Sequence, residues 1–87
     1  MNKREKEFTA KCYMYTQRRL DDFRSALKAE LDESLHDLVD SGQYEVLLMY
    51  AIEEGFTNIR VIFNLMEGVA LYTGRRQALD EIAKYMN

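Results

Sequence analysis

At 87 residues, the chain has length for one domain and too little for a second. It has 47% hydrophobic and 31% charged residues, no proline and a single cysteine, which excludes a collagen-like chain, a disulfide scaffold and a low-complexity disordered tract. The net charge of −3 argues against a simple nucleic-acid-coating protein. No apolar run reaches the roughly 20 residues that span a bilayer, and "MNKREKEFTAKCYMY" lacks the apolar core of a secretory signal. A cytoplasmic protein is expected, an expectation that the lone Cys12 fits.

The first predicted element is an amphipathic helix over about residues 4–39. Tyr13, Thr16, Leu20, Phe23, Leu27, Leu31, Leu35 and Leu38 recur at spacings of three and four. At roughly 100° per residue they fall on one stripe, with Arg18, Asp22, Asp32 and His36 opposite. Phe8, Cys12 and Tyr15 form a second apolar edge beside that stripe. "DSGQ" at 40–43 reads as a loop, with Asp40 or Ser41 available as a cap.

The next predicted helix runs from about 44 to 72. Glu53, Thr57, Arg60, Asn64 and Glu67 line up as one polar stripe when the helix is continuous. An interior glycine costs only about 1 kcal/mol, so Gly55 is expected to be tolerated. The alternative is a C-cap at Gly55 and a new helix from Thr57. A short third helix is expected over about 75–86, with Ala78, Leu79, Ile82, Ala83, Tyr85 and Met86 on its apolar side.

These elements predict an all-α single domain over 1–87, an antiparallel hairpin of two long helices with a short C-terminal helix. The second helix is apolar around more than half its circumference, more than two neighbours in one copy cover. A homodimeric helical bundle is therefore expected, with Phe8, Cys12, Tyr15, Phe56 and Phe63 as the candidate interface.

Charge is distributed unevenly along the chain. Residues 1–28 carry net +4, residues 29–54 carry net −8 without a Lys or Arg, and residues 55–87 carry net +1. Asp32, Glu33, Asp37, Asp40 and Glu45 make a candidate acidic patch around the predicted loop. This polarity opposes the dipole of the first helix, so local helix stability does not account for it. A protein partner that meets the apolar face or the charged ends is expected.

Two further readings come from motifs. Ala51, Gly55 and Val61 match the spacing of a helix-turn-helix, which makes Thr57, Arg60 and Asn64 candidate nucleic-acid contacts. Glu54 at an internal position of that motif, Glu53 beside it and the negative total charge weigh against this, so DNA binding by residues 46–66 is the alternative function. His36 lies between Asp32 and Asp40 but has no second His or Cys to complete a metal site. Asp21/Asp22 and Glu53/Glu54 are adjacent pairs whose side chains diverge on a helix. No catalytic constellation, cofactor motif or metal motif emerges, and the expected function is non-enzymatic: a small interaction or regulatory module.

Overall fold

The computed structural model describes residues 2–85. Every regular element in it is helical: α1 (Lys3–Ala29), a single 3-10 turn (Glu33–Leu35), α2 (His36–Asp40), α3 (Tyr44–Glu53) and α4 (Ile59–Lys84). The all-α class follows from the composition, while the helix ends depart from the expected ones in three places.

The first departure is at residues 30–32. Asn2 caps the start of α1, its side-chain oxygen accepting from the Glu5 amide at 2.8 Å. At the other end the Glu30 and Leu31 amides turn back to the Leu27 and Lys28 carbonyls, tightening the last turn, and Asp32 is extended. The helix predicted to reach 39 therefore stops ten residues early, at Ala29. His36 holds the bend: its Nε2 lies 2.9 Å from the Lys28 carbonyl and 3.3 Å from that of Leu31. As the donor, this ring nitrogen satisfies carbonyls that a helix end otherwise leaves open. His36 is thus half-buried and structural, and the free position opposite the apolar stripe is not where it lies. The bend folds Leu31, Leu35 and Val39 onto the core; a straight helix would carry them away from it.

The second departure is at Gly55, which caps a helix as in the alternative reading, although the next helix starts at Ile59 and not at Thr57. Gly55 has φ +65°, its amide reaches the Ile52 carbonyl at 3.3 Å and the Phe56 amide reaches that of Ala51 at 3.2 Å. This pair of backward bonds around a left-handed residue is a Schellman C-cap, with Phe56 supplying the apolar residue that packs beneath it. Gly42 ends α2 in the same way, with φ +72°, Gly42 bonded to Val39 and Gln43 to Leu38. The polar stripe from Glu53 to Glu67 is a coincidence of spacing, since the chain changes direction inside it.

The third departure removes the separate C-terminal helix. α4 passes through Gly74 with ordinary helical geometry and continues to Lys84. The expected apolar position at Met86 lies outside the described residues.

α1 and α4 run antiparallel. Asn58, before α4, donates to the Glu30 carboxylate at 2.6 Å, Phe23 lies on Gly68, and Tyr15 meets Tyr72 further along. The long partner of α1 is therefore α4, reached through α2 and α3, instead of a helix that begins directly after the 40–43 loop. The core lies between Leu20 and Tyr72 and is closed at one end by α2 and α3. The molecule measures 52 × 19 × 17 Å, with a radius of gyration of 15.7 Å; a compact chain of this length has about 12 Å. The excess comes from the outer parts of α1 and α4, which extend beyond the core as an arm.

Candidate functional site

The arm consists of residues 3–15 of α1 beside residues 73–84 of α4, and none of them is buried. It is about 20 Å long. Phe8 (69% exposed), Met14 (65%) and Ile82 (43%) project from it. Along one side the helices leave a groove of about 330 Å³ lined by Lys6, Thr9, Ala10, Tyr13, Met14, Leu79 and Ala83, almost wholly apolar at its floor.

At the opposite end, which we call the head, residues 30–58 carry eight carboxylates and no Lys or Arg. Asp32, Glu33, Asp37, Asp40 and Glu45 are all exposed there. Asp40 reaches back to Lys28 on α1 at 2.6 Å, so one positive charge enters the patch. The head also presents apolar surface. Eight of the ten residues of α3 are apolar, yet only Leu47 and Ala51 are buried. Val46, Met49, Tyr50 and Ile52 stay exposed, with Glu45 and Glu53 among them.

The structure does not gather the predicted interface residues on one surface. Phe8, half-buried Cys12 and exposed Tyr15 lie along the arm. Phe56 is packed against the core under its glycine cap, and Phe63 sits in the second turn of α4, next to the head and about 30 Å from Phe8 along the helix axis. The exposed face of α3 and the arm groove were missed at the level of sequence. A run as apolar as "YEVLLMYAI" in a short helix was the available signal, because one buried face cannot absorb it all.

Thr57, Arg60 and Asn64 are exposed, as a groove-facing helix requires. The burial around them runs in the wrong phase for a helix-turn-helix. Val61, which that motif packs inside, is 46% exposed, and Ile62 is fully buried instead.

Where arm meets core, rings and guanidinium groups stack across the two helices. Phe23 stacks on Tyr72 at 5.6 Å and Tyr15 meets Tyr72 edge-on at 6.5 Å. The Arg19 guanidinium lies 5.1 Å from the Phe23 ring and 5.8 Å from that of Tyr72, while Arg75 lies 4.9 Å from Tyr72. Such contacts attract a cation to the negative face of a ring. The Arg19 guanidinium beside the Tyr72 hydroxyl lowers the phenol below the ordinary tyrosine range; burial opposes this, and Tyr15 and Arg75 reinforce it. The same pairing raises the pKa of Arg19.

A folded-state pKa lowered in this way contributes stability above the unfolded tyrosine value of about 10 and loses it as pH falls through the lowered value. In an alkaline absorbance titration, one of the six tyrosines should ionise ahead of the rest. Tyr72→Phe should delete that early phase, and Arg19→Met should move it upward. A single unshifted phase in the parent protein would contradict the arrangement.

Among the described residues no cluster of three or more His, Cys, Asp or Glu side chains is placed to hold a metal ion, and no helix is long and apolar enough to cross a membrane. Comparison with protein-family models, with curated proteins and with solved structures finds no match for this chain.

Proposed function

We propose that this chain is a non-enzymatic interaction module, of the kind used in regulation, that works as a homodimer. The observation carrying this reading is the arm. Its two helical segments pack side by side without burying a single residue. Isolated helices of that length are marginal in water even with favourable composition, and they gain stability mainly by burying an apolar face. Phe8, Met14 and Ile82 on the arm, with Met49 and Ile52 on the head, supply the apolar surface that a partner covers. The charged ends give such contacts direction and rate more than affinity.

Sedimentation equilibrium tests the dimer. A dimer at micromolar concentration is expected, with a melting temperature that rises with protein concentration, because association stabilises the folded state by mass action. A monomer at high micromolar concentration, with a melting temperature independent of concentration, would remove this reading.

The break at Gly55 keeps DNA binding as a second reading, since α3 and α4 form two helices joined by a glycine turn. The phase of burial at Val61 and Ile62 and the carboxylates of Glu45, Glu53 and Glu54 weigh against it. A labelled duplex titrated at low salt, where nonspecific binding is strongest, is expected to stay unbound. Binding that weakens steeply with salt and is lost on Arg60→Ala would put this reading first.

A further inference from the structure

We propose that two copies pair head to tail, each seating the exposed face of its α3 in the arm groove of the other. This arrangement rests on the self-association reading above and specifies its geometry. Each chain carries both halves of the contact at opposite ends of a rod 52 Å long. One half is an apolar ridge, Val46, Met49 and Ile52, set among Glu45, Glu53 and Glu54. The other is an apolar groove between the arm helices, with Lys6 on its rim.

The charges agree with the shapes. Residues 30–58 carry net −8, whereas residues 3–15 and 73–85 together carry net +3. Pairing arm with arm, or head with head, sets like charges together. Pairing head with arm sets opposite charges together, and in a two-fold dimer it does so twice, because such an interface repeats each contact reciprocally. Both ends are then satisfied within one closed pair. The ridge needs cover, the groove lacks a filling, and a second copy supplies each to the other.

Charge exchange tests the arrangement. One variant is Lys3→Glu with Lys6→Glu, in the first turns of α1; the other is Glu53→Lys with Glu54→Lys, at the C-terminal end of α3. All four side chains are exposed. Each change puts the sign favoured by the helix dipole at its helix end, so the helices are retained, and circular dichroism checks this. Each variant alone should self-associate about tenfold or more weakly at low salt. An equimolar mixture should return to the affinity of the parent as a one-to-one heterodimer, identified by a mass tag on one variant. Arm-to-arm or head-to-head pairing sets like charges together in the parent and in each variant alone, so it predicts no weakening of the single variants. Weakening alone together with recovery in the mixture is specific to head-to-arm pairing.

Variants that dimerise as well alone as the parent, or a mixture no tighter than its components, would overturn the geometry and leave the dimer standing. A parent protein that stays monomeric would remove the dimer and the geometry together. Open-ended polymers in place of a closed pair would also overturn the arrangement.

Discussion

Leu20→Ala is expected to lower the unfolding free energy by about 3 kcal/mol, within the range of buried leucine truncations. Leu20 is fully buried and is the last fully buried apolar side chain of α1 before the arm. Removing it opens a cavity at the boundary between a packed region and an unpacked one. Around it Met66, Val69 and Tyr72 belong to one small core, in which few neighbours are free to move into the gap. A chain of this size has a total stability of about 4–13 kcal/mol, so the loss is a large fraction of the whole. Urea titration measures it: the midpoint should fall sharply with the slope unchanged, as for a two-state domain that loses stability without changing the surface exposed on unfolding. Leu79→Ala provides the contrast, because Leu79 is only half-buried at the groove. Its cost should be small at low protein concentration and grow as copies associate. Equal losses for the two variants at low concentration would contradict a core that ends near Tyr72.

The two glycines inside α4 should respond in opposite directions to alanine. Gly68→Ala is expected to destabilise the protein by about 1–2 kcal/mol net, the overpacking penalty outweighing the roughly 1 kcal/mol that alanine gains in a helix. A Cβ at Gly68 would collide with several atoms of the Phe23 ring. The ring cannot simply swing aside, because it stacks on Tyr72 and lies beneath Arg19. Gly74→Ala meets no heavy atom within 4 Å and should stabilise by about 0.5–1 kcal/mol through helix propensity alone. Thermal melts of both variants give the signs directly. In a double-mutant cycle, Phe23→Ala should relieve much of the Gly68→Ala penalty, since residues in contact couple. Stabilisation by both alanines would mean that Phe23 does not lie against the α4 backbone.

Both predictions depend on where α1 and α4 meet, which the sequence expresses only in part. The stripe from Tyr13 to Leu27 identified the buried side of α1 correctly through Leu20 and Leu27. The same stripe continued through Leu31, Leu35 and Leu38 and concealed the bend, because folding the chain back preserves the order of apolar residues while changing the element that carries them. At Gly55 the propensity cost of about 1 kcal/mol was too small to decide between an interrupted helix and a continuous one. The deciding contribution is the burial of Phe56 and Ala51 around the cap. Gly74 shows the converse: the same residue type, without such a partner, leaves α4 unbroken. The candidate surfaces were legible in charge and obscure in shape. The acidic run was plain from the sequence, whereas the arm groove arises from two segments more than sixty residues apart.

What the sequence determined by itself was the helical class, a turn at Gly42 and the opposition of acidic and basic segments, because propensity, turn chemistry and charge are local properties. The loop is 41–43, since Asp40, placed in it by the sequence, ends α2. Tertiary structure decided where the helices stop and which of them pair. Helix ends are nearly balanced locally, and contacts such as His36 with the Lys28 carbonyl, Asn58 with Glu30 and Phe23 with Gly68 tip that balance between residues 8 to 45 positions apart.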